Sequence, residues 1–390
     1  MLGDMAETAI SLPASPATAD RASRDAALCL GLGLPGDTVL YLLLPLHAAD
    51  FGVGLPEAGV LLAANRLVRI AGYGWAARGY ERFGPRAACL AAALGAAAST
   101  FGYALLSGLL LLLGARLLWG LSFAALNIAT QALVTAEAAG ASRRSGRARA
   151  IIASGPMLAL LAGAAVAETV GPRPVFLALG LIALLALPLA LRLPAEAGHA
   201  VRLSRRRLSL PSPLDTWSFV QGLTLDGVFV VGLSVLAAEA APAGAALAAG
   251  TALALRYLAE IVLGPPSGAI AERFGAGRLL IALSIGCAVG LAAIAVGALW
   301  AGVLAIVLLR GMLQPLPAPV GAAATPGSAR VATIARMATW RDLGAGAGPL
   351  FAGIALPFAP RGLYAAAALV LAASTIALAV LGAAQWRRAS

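Results

Sequence analysis

Glu81-Arg82-Phe83-Gly84 stands in the context Ala77-Arg78-Gly79-Tyr80-Glu81-Arg82-Phe83-Gly84-Pro85-Arg86, between two long apolar segments. The same four residues return 191 positions later as Glu272-Arg273-Phe274-Gly275, followed by Arg278. One tetrapeptide has little weight alone. Its recurrence at the same place in two successive apolar arrays predicts a chain built twice.

Composition fixes the solvent. The chain has 390 residues, 61% hydrophobic and 12% charged, with a mean hydropathy of +0.90. A soluble protein carries about 25% charged residues. So much apolar surface predicts a fold whose surroundings are lipid. The apolar runs are long and continuous, which predicts helices. A transmembrane barrel shows short alternating segments instead.

A helical span needs about 20 apolar residues. Twelve are read: 26–48, 55–77, 86–106, 108–137, 148–168, 173–193, 214–237, 243–270, 278–299, 301–324, 332–357 and 361–384. The weakest divisions are a Ser107-Gly108 turn and a Trp300-Ala301-Gly302 turn. The fold class is therefore an all-α polytopic membrane protein, with twelve transmembrane helices in two six-helix pseudo-symmetric bundles. The predicted layout is a tail at 1–25, a first bundle at 26–193, a basic linker at 194–213, a second bundle at 214–384 and a tail at 385–390.

The formal charge is +11, and all 28 basic residues are arginine. They gather in alternate loops, as at Arg78, Arg82 and Arg86, or at Arg143, Arg144, Arg147 and Arg149. The intervening loops hold only Arg173 and Arg361. This is a topology signal rather than a nucleic-acid footprint, and it predicts that both termini are cytoplasmic. Residues 1–25 lack a signal-peptide pattern and are expected to form a poorly ordered cytoplasmic tail. The 194–213 linker carries Arg205-Arg206-Arg207, which would lie on anionic headgroups.

The two halves align beyond the tetrapeptide. Asp37 matches Asp226 at an offset of 189, Arg116 matches Arg310 at 194, and Gly155-Pro156 matches Gly348-Pro349 at 193. Each half has an even number of spans, so the repeats are parallel about an axis along the membrane normal. A substrate path is then expected between them.

These residues resemble the major facilitator superfamily of secondary transporters, over essentially the whole chain from residue 26. The Glu-Arg-Phe-Gly loops look like that family's Gly-x-x-x-Asp-Arg-x-Gly-Arg-Arg signature between helices 2 and 3, repeated between helices 8 and 9. The second copy keeps the leading Gly268, where the first has Ala77; both have Glu for Asp. Arg116-Leu117-Leu118-Trp119-Gly120 is similar to the helix 4 Arg-x-x-x-Gly signature. Gly155-Pro156 is similar to the antiporter signature of helix 5, but Met157-Leu158-Ala159-Leu160 follows where that motif has a glycine pair. The resemblance implies a coupling role for Arg116 and a gating role for the two loops.

The residues themselves suggest chemistry. A carboxyl at mid-bilayer is costly, so Asp37 and Asp226 should face a cavity or a partner. Burial raises a carboxyl pKa and a nearby arginine lowers it, so a balanced group can take up and release a proton. Proton coupling is thus expected at Asp37, Asp226 and Arg116, with structural ion pairing as the alternative. Substrate contacts are expected from Asp37, Arg66, Arg69, Arg116, Asn127, Asp226, Arg256 and Arg310. Arg256 and Glu260 stand four apart and can pair along one helix face. Gating contacts are expected at Glu81, Arg82, Glu272 and Arg273, with Asp342 joining the second latch beside Arg341. Pro315, Pro317 and Pro319 should bend their helix.

Cys29, Cys89 and Cys287 lie in apolar runs and offer neither a disulfide framework nor a metal motif. The two histidines, His47 and His199, complete no catalytic constellation. No catalytic residue, metal or cofactor is expected, and the chain is not read as an enzyme. The partners expected are a small-molecule substrate, protons and the lipid bilayer, with no nucleic acid. A monomer in a bacterial inner membrane is expected. The reading is proton-coupled export of an organic anion or of an amphiphilic metabolite or drug. Proton-coupled uptake of an organic anion is the first alternative. A non-transporting receptor or scaffold is the second.

Overall fold

The computed structural model describes residues 16–195, 211–240 and 245–386. Among them there are helices and no strand. In chain order the helices are α1 (Pro16–Leu46), α2 (Leu55–Leu105), α3 (Leu109–Val134), α4 (Ala141–Val170), α5 (Pro172–Leu184) and α6 (Ala186–Leu191). The second half has α7 (Pro213–Gln221), a π-helical turn (Gly222–Val228), α8 (Phe229–Ala240), α9 (Ala245–Phe274), α10 (Ala276–Ala295), α11 (Leu299–Leu313), α12 (Pro317–Ala324), α13 (Arg330–Ala355) and α14 (Pro360–Trp386). The basic cluster of the linker lies outside the described residues.

The repeated tetrapeptide is where the chain turns at one face of the bundle. α2 has 51 residues, or about 77 Å of helix at 1.5 Å per residue, more than twice a bilayer core. It is broken at Gly84, whose φ of 79° and ψ of 170° are not helical. Only glycine enters that region cheaply, and Pro85 cannot donate a hydrogen bond back across the break. In the second copy Gly275, with φ 94°, divides α9 from α10 in the same way.

Among the described residues, eight helices are long and apolar enough to cross a membrane, or nine if the bent pair α11–α12 is one span. With α2 counted as two arms, and α9 and α13 added, the described helices are consistent with the twelve expected spans. α9 and α13 carry mid-length charges, at Arg256 and Glu260 and at Arg341 and Asp342.

Several boundaries differ from expectation. α1 starts at Pro16, so residues 16–25 are helix rather than tail. The buried Ala19, Ala22, Ser23 and Asp25 show that this extension packs against the bundle. The turn expected at Trp300-Ala301-Gly302 falls earlier, at Gly297 with φ 97°, because glycine there can take the positive φ that ends α10. The expected proline bend is present: α11 and α12 meet at 44° around Pro315 and Pro317. The π-helical turn around Asp226 has no signal in the sequence reading.

Each half has its own apolar core. In the first half Trp119, Ile128 and Ile152 belong to one buried set and Phe51, Tyr103 and Phe176 to another; Trp217, Phe229, Cys287 and Leu371 belong to the second half's. α13 reaches across, placing Val331, Ile334, Ala335 and Ala338 in the first half's core. The outer surface is apolar: Leu110, Val296, Ile354 and Leu369 are all more than two-thirds exposed. Such a surface suits lipid, which solvates it without cost.

Candidate functional site

A cavity of about 490 Å³ lies between the halves. That volume is in the range of small-molecule sites. Its wall includes Pro45 and Leu46 at the end of α1 and Gly250 near the start of α9. It therefore extends toward the face opposite the Glu-Arg-Phe-Gly loops. Leu30, Leu34, Tyr41, Phe123 and Tyr257 give it apolar and aromatic walls. Six arginines and four carboxylates line it: Arg66, Arg69, Arg149, Arg256, Arg310 and Arg341 against Asp37, Asp226, Glu260 and Asp342. The excess is two positive charges.

At the cavity, three ion pairs join helices inside single halves. Arg116 of α3 donates through Nη1 to Asp37 of α1, and through Nε to the Leu61 carbonyl at 3.1 Å. Asn65 Nδ2 adds a hydrogen bond to Asp37 at 3.2 Å. In the second half Arg310 of α11 donates through Nε to Asp226 Oδ1 at 3.0 Å. It also donates through Nη1 to Glu260 Oε1 at 2.8 Å. Asp226 sits on the π-helical turn, which sets it on the cavity wall.

Two more pairs join one half to the other. Arg69 of α2 donates through Nε to Asp342 Oδ2 of α13 at 2.8 Å, and Tyr73 Oη donates to the same oxygen at 2.8 Å. The Arg69 guanidinium also lies 4.1 Å over the Phe123 ring. Arg149 of α4 pairs with Glu260 Oε2 of α9. These two bridges are related by the internal repeat. Arg69 and Glu260 are 191 residues apart, and Arg149 and Asp342 are 193 apart. Their polarity is reversed: the first half supplies both arginines, the second both carboxylates.

The structure brings most of the expected site residues together. Asp37, Arg66, Arg69, Asn127, Asp226, Arg256 and Arg310 all line the cavity. Arg116 does not; it is 1% exposed and stands behind Asp37. Asp342 does not join the second loop latch, because Arg69 and Tyr73 hold it at the cavity. Arg256 does not pair with Glu260, because Arg310 and Arg149 occupy both carboxylate oxygens. Its guanidinium lies 5.3 Å from the Tyr257 ring. Arg66 and Arg256 form no ion pair among the described residues.

The sequence reading missed Arg149 and Tyr73, and placed Arg341 at the second loop latch rather than on the cavity wall. Arg149 looked like one more loop arginine. The repeat offset held the signal, had charges of opposite sign been aligned. Asn127 Nδ2, Arg149 Nε, Arg256 Nε and Arg341 Nε are buried donors without a protein acceptor.

At the loop face the two copies behave differently. Glu272 Oε1 accepts from the backbone N–H of Ser142 at 2.9 Å and of Arg143 at 3.4 Å, in the first turn of α4. A carboxylate there complements the helix dipole. Close packing makes the contact possible: a Cβ on Gly268 would stand 2.4 Å from the Ser142 carbonyl oxygen, and one on Gly146 2.4 Å from that of Gly264. Glu81 is buried and its Oε1 has no hydrogen-bond partner. Burial pushes its carboxyl pKa above the ordinary range. Arg82 and Arg273 make no ion pair among the described residues and stack near Phe83 and Phe274, at 5.1 and 5.4 Å. The first seam is instead closed by Arg330, which donates to the Thr135 carbonyl.

A cavity on a pseudo-two-fold seam, with the two loop copies at one face, is the arrangement that the resemblance implies. The model of one family, the Major Facilitator Superfamily, matches residues 26–238. The chain belongs to that superfamily. Members are transporters, so this multi-pass membrane protein is a transporter and not an enzyme. The superfamily match ends inside α8, and the solved structures carry the likeness through the second half. One similar structure is the human organic anion transporter MFSD10 (TETRAN), with a TM-score of 0.74 and 16% sequence identity, over 92% of this chain and 99% of that one. At that identity the likeness speaks for the fold. No curated protein sequence matches the chain.

Proposed function

We propose that this superfamily member exports an organic anion through the central cavity by alternating access, coupled to protons. The observation that carries the reading is the cavity's charge: six arginines face four carboxylates, beside aromatic walls. An anion with an apolar body complements both features. Arg66 and Arg256, free of ion pairs among the described residues, are the cations best placed to meet it. The description of MFSD10 as an organic anion transporter agrees with this chemistry. Carboxylates on the cavity wall supply groups that can carry protons. The Gly155-Pro156 element supports the export direction; Gly155 packs against the Gly31 carbonyl of α1, 2.2 Å from where a Cβ would stand. With the arginine-rich loop face in the cytoplasm, the cavity opens outward and both termini lie inside. The protein is proposed to act as a monomer in a bacterial inner membrane.

The test compares cells that overproduce the protein with cells that carry an empty vector, with and without an uncoupler. Organic anions are profiled in cells and medium. A carboxylate-bearing compound enriched in the medium only with the protein, and lost on uncoupling, is the expected result. Enrichment inside the cells would reverse the direction. Enrichment of cations alone would overturn the substrate class.

A further inference from the structure

The ion pairs that join helices at the cavity fall into two kinds. Asp37–Arg116, Asp226–Arg310 and Glu260–Arg310 each join helices of one half. Arg69–Asp342 and Arg149–Glu260 each cross the seam. In alternating access one bundle rocks against the other about the central site. A pair inside one bundle keeps its geometry through that motion. A pair across the seam is parted when the seam opens. A carboxylate's change of surroundings is therefore set by where its partner sits.

Asp342 has most to lose. Arg69 and Tyr73, both on α2, supply the short contacts to its Oδ2, and Arg66 of the same helix lies near. What remains on its own helix is Arg341, 3.3 Å from Oδ1. Glu260 loses Arg149 but keeps Arg310 at 2.8 Å, with Arg256 near on its own helix. Asp226 is held by Arg310, with Arg256 and Arg341 near it. A carboxylate at mid-membrane that loses its arginine favours the neutral form and takes up a proton.

From this geometry we infer that Asp342 is the proton-coupling carboxylate and Arg69 the anchor for the anion, the two competing for one bridge. Asp342 takes up a proton from the side opposite the loops, which frees Arg69 as the loop face opens. That proton leaves to the loop-face side as Arg69 takes up an anion there, and reformation of the bridge on closure expels the anion toward the opposite side. Arg149–Glu260 repeats the device with reversed polarity and a retained partner, so it contributes less. Asp37 orients Arg116, and Asp226 shares Arg310 with Glu260; neither changes partner in the cycle. The anion half rests on the transport reading above. The proton half does not.

Spin labels test the proton half without any substrate. They are placed at Phe83→Cys and Phe274→Cys, both exposed and one on each half, with the three buried native cysteines replaced by alanine. Pulsed spin-distance measurements are made at about pH 8 and about pH 5. The long-distance population of the parent should rise about tenfold at the lower pH. Asp342→Asn should show that population at both pH values. Asp37→Asn should keep the parent's response. The exchange Arg69→Asp with Asp342→Arg should restore the short distance at the higher pH, which a misfolded protein could not do. A parent-like pH response in Asp342→Asn, or loss of the response in Asp37→Asn, overturns the assignment.

The anion half is read with fluorescein, an aromatic carboxylate, by fluorescence polarisation on the full chain in detergent. Asp342→Asn should bind it about tenfold more tightly than the parent, and adding Arg69→Gln should remove that gain. Equal binding by all three overturns the anchor role. No binding by any of them overturns both the anchor and the anion reading, while the distances still judge Asp342.

Discussion

The two halves of this transporter share positions but not charges. Inside each half a carboxylate on the first helix meets an arginine on the fourth span, Asp37 with Arg116 and Asp226 with Arg310. Across the seam, the positions of Arg69 and Arg149 are matched by Glu260 and Asp342. At the loop face Glu272 caps α4, whereas Glu81 is buried with an unpartnered oxygen. Two identical halves would set like charge against like along the seam. Reversing the sign on one side turns repulsion into two bridges. The repeat preserves what each bundle needs internally and diverges where one bundle meets the other.

The largest effect should come from the arginines, because removing one partner of a buried pair strands the other. Arg116→Leu strands Asp37 and should cost about 3–5 kcal/mol. Arg310→Leu strands Asp226 and takes one of two arginines from Glu260, so its unfolding temperature should fall further. Adding Asp37→Asn to Arg116→Leu should recover most of the loss; adding Asp226→Asn to Arg310→Leu should recover less. Thermal unfolding in detergent, followed by tryptophan fluorescence, measures both. Equal recovery in the two halves would remove the difference between them.

Next is the seam at the loop face. Gly268→Ala would press a methyl against the Ser142 carbonyl and should cost about 1–3 kcal/mol, with the seam partly open in spin-distance measurements. The reciprocal change, Ala77→Gly, should cost no more than about 1 kcal/mol from helix propensity alone. A smaller shift for Gly268→Ala than for Ala77→Gly would mean that the two copies seal the seam equally.

Glu272→Gln weakens the contact of an exposed carboxylate with a helix start, so the loss should be about 0.5–1 kcal/mol and should shrink in high salt. Chemical denaturation of the detergent-solubilised protein at two salt concentrations reads it.

Glu81→Gln should have the smallest effect, and the opposite pH signature. Burial raises the folded-state pKa of Glu81 above its unfolded value. Stability from this group is therefore fully present below the unfolded pKa and is lost as pH rises through the folded one. Wild type should lose stability over that window, and Glu81→Gln should flatten the loss. An unchanged pH profile would show that Glu81 ionises freely.

Much was legible in the chain before folding. The turns at Gly84 and Gly275 followed from the repeated tetrapeptide, and the bend near Pro315 from the missing backbone donors. Asp37, Asp226, Arg116 and Arg310 stood out because charges inside apolar runs are rare. Arg149 stayed hidden because two turns of helix carry it from an arginine-rich loop to the cavity wall. The expected Arg256–Glu260 pair failed for a related reason. Spacing makes such a pair possible, but two arginines from other helices reached the carboxylate at shorter range.

Hydropathy, arginine placement and the internal repeat determined the solvent, the helical class and the two-fold plan, because each depends only on order along the chain. Which charge meets which was decided by the tertiary structure. An ion pair needs two side chains within about 4 Å, and that distance is set by how helices far apart in sequence pack across the seam. The assignment of Asp342 in place of Asp37 belongs to this second kind of knowledge, for it turns on which bundle holds the partner.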